Sequence, residues 1–235
     1  GLDHNALGAW SPGLHIDLAS FQTARTEAAG FYKINGIIDT NVQLYDNIGE
    51  ILESMNGVLV FQGGKYILNL KKAGEVSTKT FIHDEILSPI SVQMPAKDSK
   101  YNRVTADYRN KVSGTDYNDD ISIVDNATYL TEDNGTELEG RIRLDLVDDE
   151  TLVTAIATYT LNESRFQQTI AFDAAHTAIR LACGDIIKMK LDEFGWGPDD
   201  GYTNGKPFRI NTMALNANNS ISITATEYES SIQLI

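Results

Sequence analysis

The stretch from Phe31 to Leu70, FYKINGIIDTNVQLYDNIGEILESMNGVLVFQGGKYILNL, constrains the fold more than any other part of the chain. Tyr32, Ile34 and Ile38 lie among β-formers that break at Asp39, a pattern that predicts a strand. Thr40 and Gln43 have the spacing of a capping box, which satisfies free N–H groups at a helix start, so a helix is expected to begin near Thr40. Leu44, Ile48, Ile51, Leu52 and Met55 then recur on one stripe of a 3.6-residue period, and that stripe is expected to be buried. Gly57 supplies the left-handed residue that commonly ends a helix. Val58 to Phe61 and Tyr66 to Leu70 flank Gly63-Gly64, a pair that tolerates positive φ, and they predict a tight hairpin. The unit expected is strand, helix and hairpin, with no catalytic signature of its own.

On the N-terminal side, residues 1 to 13 carry no period and read as an extended lead-in, with Trp10 packing on a neighbour. Leu18 to Ala29 is rich in helix formers, with Leu18, Phe21, Ala24, Arg25 and Ala28 on one face, and Gly30 closes it. After Leu70 a connector with one helical turn near Asp84 leads to strand character at Ile90 to Met94 and at Asn102 to Arg109. In NRVTADY, Val104, Ala106 and Tyr108 share one face while Arg103, Thr105 and Asp107 share the other, as in a half-buried strand. Residues 112 to 140 are polar and turn-rich, with a turn signal at Asn134-Gly135, and suit either a long hairpin or an excursion between domains. A helix restarts over 148 to 163, where Asp148, Asp149 and Glu150 suit its positive N-terminal end and Leu152, Ile156, Tyr159 and Leu161 supply a packing face. From Phe166 onward the pattern is β. The expected class is α+β, predominantly antiparallel β with two or three short amphipathic helices. A helix-strand-helix-hairpin module is placed at 1–75 and a β-rich domain at 76–235, with a possible insertion at 112–140. The chain does not begin with Met, has no leader and ends in a strand-like pattern, so it reads as an excised piece of a longer polypeptide.

Several kinds of chemistry are excluded by their missing motifs. No phosphate-binding glycine loop, dinucleotide fingerprint, HExxH pair or GxSxG elbow occurs in the 235 residues. Asp116, Asn118 and Asp120 match the first three ligand positions of a calcium loop, but Ile121 stands where its glycine belongs and Ala127 where its glutamate belongs. The single cysteine, Cys183, rules out an internal disulfide and suits a buried structural thiol in an apolar run. His4, His15, His83 and His176 have no neighbouring partners that suggest a metal site or a triad. No cofactor, metal or catalytic residue is therefore expected. A net charge of -14 opposes a sequence-independent grip on nucleic acid, which requires Lys and Arg to displace counterions. No apolar run approaches the roughly 20 residues of a membrane-spanning helix. One loop, GWGPDDGYTNGK, offers Trp196, Asp199, Asp200 and Tyr202 as a possible ligand contact. This loop is the feature on which an alternative function rests, an envelope-directed hydrolase or a carbohydrate-binding module.

The order of motifs is more informative than any one of them. The NG-I-I-D strand end, amphipathic helix, apolar strand and GGKY hairpin are followed by NRVTADY and Arg165. Arg180 with Gly184-Asp185-Ile186-Ile187 comes next, then Gly195, then Gly205, Lys206, Phe208, Arg209 and Ile210, and last Glu227-Tyr228. Over roughly residues 20 to 230 this series resembles the tail-tip, or central hub, proteins of long-tailed bacteriophages, the host-specificity protein J-like group. The resemblance implies a non-enzymatic structural part of a virion or prophage tail, made in the bacterial host cytoplasm. It further implies a homotrimeric ring that closes the distal end of the tail tube. The expected partners are other copies of the chain, a tube or distal tail protein, and fibre or receptor-binding regions. Host attachment and passage of the genome through an acidic channel are the roles such a ring would serve, with no sequence-specific nucleic-acid binding. In that family the Gly-Asp and Gly-Lys positions are turn and strand-entry residues.

Overall fold

The computed structural model describes residues 15–38, 40–96, 99–113 and 116–234. Trp10, His4 and the lead-in lie outside the described residues. The class is α+β with mostly antiparallel strands, as the sequence predicts. The helices are α1 (Leu18–Ala28), α2 (Leu44–Ser54), α3 (Ala127–Glu132) and α4 (Glu150–Glu163).

Three sheets are present among the described residues. Strands β1 (Gly57–Gln62) and β2 (Lys65–Leu70) form the expected hairpin, with Phe61 opposite Tyr66 and positive φ at Gly63 and Gly64. The largest sheet contains β3 (Lys79–Phe81), β4 (Ser91–Gln93), β8 (Thr169–Ala174), β9 (Ile186–Met189), β10 (Lys206–Leu215) and β11 (Ile221–Glu227), in the order β3-β9-β10-β11-β8-β4. Every pairing in it is antiparallel except β3 with β9. The third sheet has the order β6-β5-β7, from β5 (Arg103–Ser113), β6 (Asp116–Asp125) and β7 (Glu139–Leu144), with β5 and β7 parallel. Residues 103–125 are thus a long hairpin, one of the two arrangements the polar 112–140 stretch allowed.

Two cores follow from the alternation of side chains. In the six-stranded sheet Ile170, Ile187, Phe208 and Ile223 point to one side and are buried with Phe81, Met189 and Trp196. In the three-stranded sheet Val104, Ala106 and Tyr108 face inward, and α4 covers them with Leu152, Val153, Ile156 and Leu161. Complete burial of a side chain of this size stabilises the fold by roughly 1.5–3 kcal/mol. The start of α4 is also local in origin, because the Asp149 carboxylate accepts from the Thr151 N–H at 2.9 Å.

The 31–56 stretch departs from its sequence reading in three ways. Residues 31–38 form no strand; Asn35 donates its N–H to Leu146 O at 2.8 Å, and no neighbouring strand among the described residues continues a ladder. Gly36 lets the backbone pass this close, since a Cβ there would sit 2.6 Å from a Leu146 methyl. Helix α2 begins at Leu44, after a Gln43 whose ψ of 139° is extended, so the Thr40–Gln43 box does not close. The apolar stripe of α2 is only partly covered: Ile48, Ile51, Leu52 and Met55 are half-buried, while Leu44 is 74% exposed. Periodicity reports which face is apolar; whether anything covers it depends on tertiary contacts.

Candidate functional site

The residues that carry the sequence motifs converge on turns and ion pairs at the joints of the fold. Gly184 has φ +94° and donates to Ile210 O at 2.8 Å, while the Asp185 carboxylate accepts from the Ala182 N–H at 2.9 Å. Together they redirect the chain into β9. Gly205 has φ +87°, and a Cβ there would lie 2.8 Å from Met189 O, so glycine alone lets the chain enter β10 beside β9. Gly195 likewise closes a short turn at φ +71°.

The cations of the motifs form clamps. Arg165 makes a two-pronged contact with Asp133, at 2.6 and 3.1 Å, donates to Tyr101 O at 3.0 Å and lies over the Tyr129 ring at 4.5 Å. Both charged side chains are nearly buried, 10% and 9% exposed, so the pair joins α3, the end of α4 and the approach to β5. Lys206 bridges Gln168 at 2.6 Å and Glu227 at 2.7 Å across the six-stranded sheet. Arg209 pairs with Glu75, donates to Gly184 O at 3.3 Å and packs over Tyr228, whose hydroxyl donates to Lys72 O at 2.9 Å. Lys71 and Tyr159 both reach Glu163 at 2.6 Å. A cleft of about 380 Å³ opens above this seam, lined by Lys71, Tyr159, Arg209, Glu227 and Tyr228. Arg180, by contrast, is exposed on the surface.

Proton equilibria show no group tuned toward neutrality among the shifts that are resolved. Burial pushes the Tyr32 hydroxyl up to about 12. Burial and then the Glu163 carboxylate raise Tyr159 well above the usual tyrosine range. The hydrogen bond from Arg141 holds Asp107 below the ordinary carboxylate range, and the one from Asn110 does the same for Asp120. A general acid or base is useful when its pKa approaches the working pH, and these shifts move away from it. Their effect is to keep the Tyr32 and Tyr159 hydroxyls neutral and the Asp107–Arg141 pair charged.

The four residues of the candidate ligand loop do not share one environment. Trp196 is 4% exposed, stacked on Phe194 and edge-on to Phe208, and is a core side chain rather than an aromatic offered to solvent. Asp199 and Asp200 are exposed in a short 3₁₀ turn, and Tyr202 is half-buried with Lys206 5.8 Å from its ring centre. A ligand contact there is left to Asp199, Asp200 and Tyr202 as a proposal. Cys183 is half-buried. Asp116 and Asn118 lie on β6, an extended strand rather than a wrapped loop, and no three His, Cys, Asp or Glu side chains among the described residues group to hold a metal ion. Sequence reasoning missed Glu75, Asp133 and Glu163 as clamp partners, because each lies more than thirty positions from the residue it pairs with, or in a connector without periodicity.

Comparison with known proteins agrees with this structural character. No family model matches the chain. Over 98% of its length it is similar to the baseplate hub protein pb3 of Escherichia phage T5, at 20% identity over 236 residues and 24% of that protein. It superposes with a TM-score of 0.67 on a chain of the virion of a native gene transfer agent particle, covering 98% of this chain and 52% of that one at 16% identity. A 43 kDa tail protein of prophage MuSo2 from Shewanella oneidensis gives a TM-score of 0.51, over 91% of this chain and 65% of that one, at 8% identity. The fold is shared with a chain of that particle and with a prophage tail protein. The resemblance to tail hubs read from the motif order holds, and its residues Gly184, Gly205, Arg165, Lys206 and Arg209 serve here as turns and clamps. The chain spans about a quarter of the T5 hub protein and about half of the gene-transfer-agent chain. No helix among the described residues is long and apolar enough to cross a membrane.

Proposed function

We propose that the chain is a structural segment of a phage or prophage tail-tip hub, built into the virion after synthesis in the bacterial host cytoplasm. It forms a homotrimer in the full protein, closes the tail tube on one side and supports fibre or receptor-binding regions on the other. One observation carries the reading: similarity along 98% of the chain to a baseplate hub protein. The joints of the fold support it, since the motif cations Arg165, Lys206 and Arg209 all hold secondary-structure elements together. The role is non-enzymatic. With a net charge of -14, the ring's inner surface repels the genome's phosphates and lets it pass without sticking. The domain at 1–75 is the assembly module, and 76–235 is the frame.

Light scattering after size exclusion tests the ring. A mass of three copies is expected for the polypeptide that carries this segment, and a monomer across a wide concentration range would overturn the trimer. Cleavage of envelope polysaccharide that is lost in Asp200→Ala would instead favour the hydrolase.

A further inference from the structure

The ends of the β1–β2 and β10–β11 hairpins and the turn at 179–183 enclose an apolar groove of about 220 Å³. Among the residues that line it, Leu181 is buried, whereas Phe61, Ile179 and Leu215 are each more than 60% exposed. Tyr66 stands opposite Phe61, with the two ring centres 5.0 Å apart, and is itself 46% exposed, so it extends the apolar surface. Single exposed apolar side chains are ordinary, but several gathered from separate elements at one concavity mark an interaction site.

Charge beside the groove runs against the rest of the chain, which holds 33 Asp and Glu against 19 Lys and Arg. Lys65 stands opposite Gln62, a lining residue, and Arg180 lies between the lining residues Ile179 and Leu181. Both cations are exposed, and neither makes an ion pair among the described residues. The carboxylate of nearby Asp185 turns back to accept from the Ala182 N–H at 2.9 Å. Gln62 adds a further demand, since its Oε1 is buried and has no hydrogen-bond donor among the described residues. The terminal torsion of a glutamine is soft, so this amide can turn toward a donor that enters the groove.

We propose that this groove docks an acidic, apolar segment of another protein of the tail. The segment's apolar side chains fill the space between Phe61, Ile179 and Leu215, its carboxylates meet Lys65 and Arg180, and one of its N–H groups donates to Gln62. Charge complementarity of this kind sets which partner docks and in what register. A short segment suits the site better than the folded face of a second copy. Nine residues line the groove, whereas a stable protein–protein interface uses roughly 20–30 on each side. The assignment rests on the tail-hub reading above and names the chemistry of one partner.

Cys183 lines the groove, is half-buried and reports on its occupancy. Its labelling by N-ethylmaleimide is followed by mass spectrometry in the isolated full polypeptide and in assembled tails of the phage or prophage that encodes it. Ready labelling is expected in the first and labelling about tenfold slower in the second, the protection of a site about nine-tenths filled. Equal rates would overturn the docking. Protection already present in the isolated polypeptide would overturn it too, because the groove would then be filled by the same chain or its copies. A carbodiimide, which condenses an amine with a carboxylate, should couple Lys65 in tails to an Asp or Glu of a different protein; coupling to this chain alone, or none, would overturn the choice of partner. Lys65→Glu with Arg180→Glu should restore most of the labelling in tails and leave urea unfolding unchanged, and full protection in that variant would also overturn the docking. Tails that lack this polypeptide altogether would overturn the hub reading itself, which none of the other outcomes does.

Discussion

In the six-stranded sheet Phe81, Ile170, Ile187 and Phe208 are completely buried, whereas between residues 31 and 66 Phe31, Ile37, Leu44, Tyr45 and Phe61 are each more than a third exposed. Both regions are rich in large hydrophobic residues. The sheet closes its own core because strands from positions 79 to 227 pair around it and Trp196 and Phe81 cap it. The earlier region has one two-stranded hairpin, with α1 packed on β2 and α2 at the start of β1, so there is too little structure to cover both faces of its apolar strands. The difference separates a region that closes its own core from one whose large apolar side chains stay exposed among the described residues.

Substitutions can test this contrast, and the largest effect is expected in the frame. Phe208→Ala removes a ring packed edge-on against Trp196 and should cost about 4 kcal/mol in urea unfolding. Arg165→Ala leaves the nearly buried Asp133 without its cation and should cost about 3 kcal/mol, with part recovered in the Asp133→Ala double variant. Gly205→Ala forces a side chain into φ +87° against Met189 O and should cost about 2 kcal/mol. Ile37→Asp, in the exposed module, should leave unfolding of the single chain within about 0.5 kcal/mol. A loss comparable to that of Phe208→Ala would erase the distinction between the regions.

The smallest effect concerns pH. Asp107 is held below its ordinary range by Arg141, so its contribution is present above the ordinary carboxylate range and fades as pH falls through the depressed pKa. Asp107→Asn should slightly flatten the acid limb of the stability profile, measured by urea unfolding at a series of pH values. The Arg141 side chain is largely exposed, which keeps the change small.

Much of the frame is legible in the sequence. Alternation placed Val104, Ala106 and Tyr108 on the buried face of β5, and the glycines at 184 and 205 stand at positive φ where turns were expected. These features are local: a period of two or a left-handed turn is encoded in adjacent residues. The strand expected at 31–38 failed because a strand exists only where a neighbour completes its hydrogen bonds, and among the described residues the one backbone hydrogen bond from this stretch to a distant segment is that of Asn35 to Leu146. The ligand loop was only partly legible, since sequence alone could not show that Trp196 turns inward onto Phe208.

By itself, then, the sequence determined the β-rich class, the helix faces, the turn glycines and the motif order that marks a tail hub. Tertiary structure alone decided which carboxylate each cation meets and which apolar faces remain open. Periodicity and backbone preference act over a few residues, whereas Arg209 finds Glu75 across 134 positions, and the cover for Ile37 and Leu44 is not found among the described residues of the same chain.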